Sequence, residues 1–249
     1  SEGLLGVITE VTVKILKTPE VVKAALIGFP SIEDAGNCVA QIIAKGCIPA
    51  GMEIMDKALT KATNDYSKAG YPVDAEAMMI VEFDGTEHEV EAYMNKAKKI
   101  AEENNSSSLK ISKTNNERLK FWAGRKAAFP ACGVLAPDYM CMDGSIPRGK
   151  LAEVLNEITR LSKKYDLPVA NAFHAGDGNL HPLIMFDANN PESLRKCEEF
   201  GADILKYCVK VGGALTGEHG VGIEKRELMC EAFNNNDIQQ QLTIKIALD

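Results

Sequence analysis

Several absences narrow the function of this chain before any motif is considered. Its 249 residues contain no low-complexity run, and no apolar stretch approaches the ~20 residues of a membrane span. No Cys-x-x-Cys pair occurs: the seven cysteines, Cys38, Cys47, Cys132, Cys141, Cys197, Cys208 and Cys230, are odd in number and scattered singly. That disfavours a zinc ribbon or a disulfide framework and points to free thiols in a reducing compartment. The start, Ser1-Glu-Gly-Leu-Leu-Gly6, has neither the basic flank nor the apolar run of a secretory leader, so the expected address is cytoplasmic. Positive charge is also short. The net charge is −7, and Lys98-Lys99 and Lys163-Lys164 fall on helical patterns as solvated faces, which disfavours nucleic acid as a partner.

What is present is an ordinary globular composition, 45% hydrophobic and 25% charged. The length suffices for one large domain or two smaller ones with real cores. Residues 4–16 are rich in β-branched side chains that alternate, which predicts a strand ended by Thr18-Pro19. A second strand is expected over 24–29. Ser31-x-x-Asp34 then caps a helix to Lys45 with Gly46 as its stop, and a strand follows over 50–55. After a short helix and loop over 58–73, the order repeats: strand 76–83, a turn at Asp84-Gly85, a capping box at Thr86-x-x-Glu89 opening a helix to Asn104, and strand 107–112. Strand–helix–strand thus occurs twice, which predicts an α+β fold of ferredoxin-like repeats, an antiparallel sheet with helices on one face. Further on, a helix over 115–129 is expected to stop at Pro130, and a strand covers 139–146. An amphipathic helix over 148–165 precedes a hairpin. Asn190-Pro191-Glu192 opens a helix to Lys210, and helical patterns cover 223–233 and 237–248. Gly3 and Gly6 beside the first strand, and the missing stop signal after the last helix, read as cuts in a longer chain.

The chemistry centres on Asn171-Ala-Phe-His-Ala-Gly-Asp-Gly-Asn-Leu-His-Pro182. A two-residue Asp177-Gly178 turn places Gly176 opposite Asn179, Ala175 opposite Leu180 and His174 opposite His181. Directly opposed side chains share a face about 4.5–5.5 Å apart, so two imidazoles can converge on one ion. A single His at a strand end is more often a hydrogen-bonded structural residue. Here two of only four His flank one turn, and a second His-bearing loop follows. Residues 212–222, Gly-Gly-Ala-Leu-Thr-Gly-Glu-His-Gly-Val-Gly, hold five glycines in eleven positions around Glu218 and His219. Adjacent side chains in extended chain point apart, so bringing both into one site needs the contorted backbone that glycine permits. Two His and a carboxylate with an open position form the ligand set of a catalytic metal. A phosphate cradle is disfavoured, because the glycines lack the Gly-x-Gly-x-x-Gly order and no Walker Lys-Ser/Thr follows.

The stretches Ser1 to Thr12, Phe121-Trp-Ala-Gly-Arg-Lys-Ala-Ala-Phe129, Asn171 to Pro182 and Gly212 to Lys225 resemble the carboxyl-terminal domain of the FAD-linked oxidases. Within that family the chain is most similar to the FAD-binding subunit of glycolate oxidase and the D-lactate dehydrogenases, through Phe121 to Phe129, Asp138-Tyr-Met-Cys-Met-Asp143 and His181-Pro182-Leu183. The resemblance implies oxidation of a small 2-hydroxy acid, glycolate or lactate, with hydride passing to FAD and electrons moving on, within an oxidase complex that includes an iron-sulfur acceptor. It implies that His174, His181 and Glu218 bind a divalent metal, Zn, Mn or Fe, that His219 is the general base, and that Arg125 holds the substrate carboxylate, for which a guanidinium fork suits better than Lys126. Without the resemblance, Arg125 reads as a surface salt-bridge partner.

Residues 1–19 then read as a remnant of the FAD-binding domain, with Glu2, Gly3, Gly6 and Ile8 beside the cofactor. Residues 20–215 read as the substrate (cap) domain and 216–249 as a C-terminal helical segment. The family's main FAD-binding domain and its closing Asn-Pro-Gly-Lys segment are not in this sequence, so the fragment is not expected to hold FAD alone. Relatives acting on larger diacids carry polar residues where this chain has Phe129, an apolar run near Met140, and Leu183, which predicts a smaller, drier pocket. Two rival readings are a metal-dependent hydrolase using the same ligands and a non-catalytic cap module.

Overall fold

The structure, a computed structural model, describes residues 2–248. The first unit opens with strand β1 (Val21–Phe29), followed by helix α1 (Ile32–Ala44), strand β2 (Gly51–Asp56), helix α2 (Lys57–Ser67), strand β3 (Ala77–Gly85), helix α3 (Glu87–Glu103) and strand β4 (Ser108–Ile111). The capping signals act as the sequence predicts. The Ser31 hydroxyl accepts from the Asp34 amide, and Thr86 and Glu89 form a complete capping box at the start of α3. All pairings in this unit are antiparallel, in the order β4-β1-β3-β2. That is the ferredoxin-like order, with α2 inserted between β2 and β3.

Helices α4 (Asn115–Lys126) and α5 (Ala128–Ala131) lead into the second unit. It comprises strands β5 (Asp138–Cys141) and β6 (Gly144–Ser145), helix α6 (Leu151–Tyr165), strands β7 (Val169–His174) and β8 (Asn179–Phe186), and helix α7 (Pro191–Lys210). Both β5 and β6 pair with β8, β8 pairs with β7, and Ser145 bridges Ala214 after α7. The second unit therefore repeats the topology of the first, with its fourth strand reduced to one bridge. The two units join edge to edge through β2 and β7, where Glu53 faces His174.

The crossover helices α1, α3, α6 and α7 cover one face of the sheet, burying Phe29, Ile54, Phe83, Phe173 and Ile184 with Val39, Met94, Ile158 and Phe200. This is the face the ferredoxin-like pattern predicts. The opposite face is covered too: Leu59 of α2, Phe121 of α4 and Ala128 of α5 pack on Leu26, Ile80, Met55, Ala172 and Leu183. Fully burying side chains of this size stabilises the fold by about 1.5–3 kcal/mol each relative to exposure. All seven cysteines are free, and burial pushes the thiols of Cys38, Cys197 and Cys208 up to about 12.

Four local expectations are corrected. Residues 6–19 form no strand: they pair with none among the described residues, and Val7, Ile8, Val11, Val13 and Ile15 stand exposed. Alternation marks a chain suited to a sheet, but a strand exists only where a ladder satisfies its backbone. Pro130 does not stop the helical region, because it lies within the short α5, where Ala131 resumes the bonding by donating to Ala127. The strand expected over 139–146 is split where Asp143 turns into the interior and where Pro182 of β8 has no N–H to give. The helix expected over 223–233 is a 3-10 turn, Arg226–Leu228, and a single turn α8 (Met229–Ala232), followed by α9 (Asn235–Leu248).

Candidate metal centre at the join of the two units

The His hairpin differs in register from its sequence reading. His174 pairs with Asn179 and Ala172 with His181, so the loop is the four residues 175–178 rather than Asp177-Gly178 alone. Its geometry is set by contacts outside the Asp-Gly pair. The Asp177 and Gly178 amides donate to the His174 carbonyl at 3.2 and 3.1 Å, and the Ile146 amide donates to the Gly178 carbonyl at 3.0 Å. A Cβ at Gly178, where φ is +86°, would stand 2.3 Å from the Ile146 carbonyl oxygen. The slip is two residues, so the side chains keep their faces, whereas a slip of one would have sent the two His to opposite sides. As diagonal neighbours, the rings of His174 and His181 lie 5.0 Å apart and perpendicular.

Beyond Ala214 the chain leaves the sheet and crosses this face. It is held there by Asp143, which is fully buried. Asp143 Oδ2 accepts from Thr216 Oγ1 at 2.5 Å, from the Gly217 amide at 3.0 Å and from the His219 amide at 3.1 Å, while Oδ1 accepts from the Glu218 amide at 3.1 Å. Lys225 Nζ, also buried, donates to Asp143 Oδ2 at 3.1 Å and to its carbonyl at 2.8 Å. Burial alone would raise the Asp143 pKa. The Thr216 hydroxyl, the Glu218 amide and the Lys225 ammonium outweigh it and hold the group well below the usual carboxylate range. Close approach also fixes Gly217, where a Cβ would stand 2.1 Å from Asn179 Oδ1.

The loop so held presents Glu218 to the hairpin. Glu218 Oε1 lies 3.1 Å from His181 Nε2, 3.7 Å from His174 Nε2 and 3.6 Å from His219 Nε2. Ligand atoms about 2.0–2.1 Å from a tetrahedral ion stand roughly 3.4 Å from one another, so the His174–His181–Glu218 set fits a divalent cation. The three donors lie within 4.8 Å of one another. One side of the set is enclosed and the other open: the His181 side chain is 3% exposed and that of Glu218 52%. The His219 ring stacks on His181 at 5.3 Å. The hydrogen bond that His174 donates to Glu53 raises the His174 pKa, whereas burial, helped by neighbouring His174, lowers that of His181.

Arg125, in the last turn of α4, is buried rather than a surface partner. Its Nε donates to Glu53 Oε2 at 3.1 Å, one terminal nitrogen forms an ion pair with the same oxygen at 3.0 Å, and Glu53 Oε1 lies 2.7 Å from His174 Nδ1. Phe129 meets His181 edge-on at 6.4 Å, and Leu183 is buried in the apolar cluster on the same face. Met140 belongs instead to the opposite cluster, and Cys141 is the β5 residue nearest the site, with Sγ 3.8 Å from His181 Nδ1.

The structure thus brings His174, His181, Glu218 and His219 together and ties Arg125 to them through Glu53. Of the residues expected beside FAD, Glu2 lies against the end of the glycine loop, where a Cβ on Gly222 would collide with its carboxylate; Gly3 and Gly6 have open space around them, and Ile8 is exposed. Sequence reasoning missed Glu53, Asp143 and Lys225. One signal existed for Glu53, a charged residue between the apolar Met52 and Ile54 of β2; Asp143 and Lys225 close two of the stretches that carry the family resemblance, but no role was read from them.

The fold is an antiparallel α+β sheet of two ferredoxin-like repeats, and its candidate site is a His-His-Glu cluster beside a buried arginine. The chain belongs to the family described as FAD linked oxidases, C-terminal domain, whose model matches residues 18–249. It is 51% identical over its whole length to glycolate oxidase subunit GlcD of Escherichia coli K12 and 33% identical to glycolate oxidase subunit GlcD of Bacillus subtilis. It is 30% identical to the mitochondrial D-lactate dehydrogenase [cytochrome] of Arabidopsis thaliana. The chain spans 50%, 53% and 44% of these relatives. Among solved structures, p-cresol methylhydroxylase with substrate bound superposes with a TM-score of 0.67 at 13% identity, covering 93% of this chain and 51% of that one. The 4-ethylphenol oxidase of Gulosibacter chungangensis gives a TM-score of 0.66 at 12% identity, covering 94% and 52%. These two likenesses show the fold. No helix among the described residues is long and apolar enough to cross a membrane.

Proposed function

We propose that this chain is the substrate-side half of a flavin-dependent 2-hydroxy-acid oxidoreductase of the glycolate oxidase and D-lactate dehydrogenase kind. The observation that carries the reading is the convergence of His174 Nε2, His181 Nε2 and Glu218 Oε1 on one point, next to an arginine. These three residues would hold Zn, Mn or Fe, among which a His-His-carboxylate set does not discriminate. A metal bound there supplies a Lewis acid that lowers the pKa of the substrate hydroxyl. FAD would be held mainly outside this chain and would accept the hydride from the hydroxyl-bearing carbon.

The remaining work falls to side chains of this chain. His219, on the open side of the cluster, takes the hydroxyl proton on its ring nitrogen, as a positioned imidazole can. Its backbone is fixed by Asp143, which limits how far the ring can wander. Arg125 offers the substrate carboxylate its remaining terminal nitrogen, the rest of the fork being engaged by Glu53. Phe129 and Leu183 make the wall beside His181 apolar, which favours glycolate or lactate over a dicarboxylate. Glu2 lies against Gly222 of the glycine loop, in keeping with a place beside the flavin. The electron acceptor would be an iron-sulfur protein of the same complex.

The test uses the complete protein with its flavin. Glycolate- and D-lactate-dependent reduction of a dye should exceed that with a 2-hydroxy diacid, and Arg125→Met should raise KM for both monoacids at least tenfold. Equal turnover of diacids, or an unchanged KM in Arg125→Met, contradicts the reading.

A further inference from the structure

Glu53 stands at the seam between the two units and touches both halves of the proposed chemistry. It lies on β2 directly across from His174 of β7. Its side chain is only 12% exposed, and its two oxygens are divided: Oε1 takes His174 Nδ1 at 2.7 Å, and Oε2 takes Arg125 Nε at 3.1 Å and its terminal nitrogen at 3.0 Å. A carboxylate is an acceptor only, so the short contact to Nδ1 requires the hydrogen to sit on that nitrogen. The proton on Nδ1 leaves the lone pair on Nε2, the nitrogen that faces Glu218. The same carboxylate clamps the plane of the guanidinium by a two-pronged contact, which sets the direction of the nitrogen left over.

We propose that Glu53 is a positioning residue that fixes, with one carboxylate, both the tautomer of His174 and the orientation of Arg125, so that the cation site and the anion site are aligned across the seam. The inference rests on the proposed function for what the two partners do, and on the distances alone for how Glu53 holds them. It explains why an acid interrupts a strand whose neighbours Met52, Ile54 and Met55 are buried. It also explains why Arg125, which the sequence alone would leave on the surface, is drawn into the interior.

The experiment compares the complete protein with its Glu53→Gln and Glu53→Ala variants. Imidazole nitrogen shifts of His-labelled, metal-free protein are recorded at mildly alkaline pH. Wild-type His174 is expected in the Nδ1–H form; finding the Nε2–H form in wild type overturns the proposal with no variant needed. In Glu53→Gln the amide oxygen can still accept from Nδ1, so metal affinity, measured by chelator competition, should fall about tenfold; in Glu53→Ala it should fall about 100-fold, the range for losing an outer-shell partner. In metal-saturated Glu53→Gln, KM for glycolate should change at least threefold with kcat less affected, because the amide nitrogen now faces the Arg125 donors. Variants that stay folded and keep wild-type tautomer, metal affinity and KM overturn the proposal. Wild type that binds no metal defeats the proposed function but leaves the tautomer measurement to decide the role of Glu53.

Discussion

The two units share a topology and differ in their connections. In the first, the chain between β2 and β3 leaves after Asp56, builds α2 and returns at Ala77, the residue Asp56 pairs with. In the second, the chain between β7 and β8 takes four residues, from His174 to its partner Asn179. The outer edges differ as well. β4 is a true edge strand, whereas its counterpart is a single Ser145–Ala214 bridge, after which the chain crosses the sheet as the glycine loop. Where the first unit completes its sheet and adds a helical cover, the second gives up regular structure and gains room for a cluster of polar side chains. In this fold the candidate site lies where the second repeat is least complete, and the first unit reaches it through Glu53 and Arg125.

The sharpest way to break that contrast is to remove the anchor of the crossing loop. Lys225→Met leaves Asp143 buried with its positive partner gone, and separating a buried pair in this way costs about 3–5 kcal/mol. Denaturant unfolding should show that loss together with lost metal binding; a variant as stable as wild type would mean that the amide and hydroxyl donors alone hold Asp143. Next in size, His181→Ala removes the most enclosed donor of the cluster. Metal content should drop at least tenfold, and the cavity left by the buried ring should also lower the melting temperature of the metal-free protein. Retained metal would point to another site, because the neighbouring grouping of Asp143, His181 and His219 loses the same ring.

Acid should act on the second unit through its two His. Both must be neutral to ligate. Glu53 raises the His174 pKa, so this ring takes a proton first as pH falls, already above the ordinary imidazole value of about 6.5. Protonation of His174 favours the metal-free fold at low pH, a contribution lost as pH rises through its folded pKa. The lowered His181 works the other way: its contribution is present above about pH 6.5 and is lost as pH falls towards its folded pKa. The rise in melting temperature on adding metal should therefore shrink as pH falls towards 6.5 and below; a constant increment would contradict the assignment of His174 as a ligand. The smallest effect belongs to the first unit. Thr86→Ala removes a capping box far from the cluster and should cost about 1 kcal/mol in stability while metal content stays unchanged.

The parts of the fold legible in the sequence are those written in local chemistry. Ser31, Thr86 and Asn190 announce helix starts because a side-chain oxygen satisfies amides within three residues of it. The strand–helix–strand order gave the ferredoxin-like repeat because each element carries its own period. The hairpin was half legible: the Asp-Gly pair marked a turn, but its length was set by the Gly178–Ile146 contact, which links residues 32 apart. The His pair survived that error because a two-residue slip preserves faces. Glu53 and Lys225 were illegible for the same reason on a larger scale, since their partners are 121 and 82 residues away. The strand reading of residues 4–16 failed because alternation describes a side-chain pattern, while a strand also needs a neighbour.

The central claim is a cation held between the hairpin and the glycine loop. Elemental analysis of the complete protein after exhaustive dialysis, beside its Glu218→Gln variant, tests it directly. One equivalent of zinc, manganese or iron in wild type and less than a tenth of that in the variant is the predicted result. Equal metal content in the two proteins, or none in either after reconstitution with each metal, would contradict it.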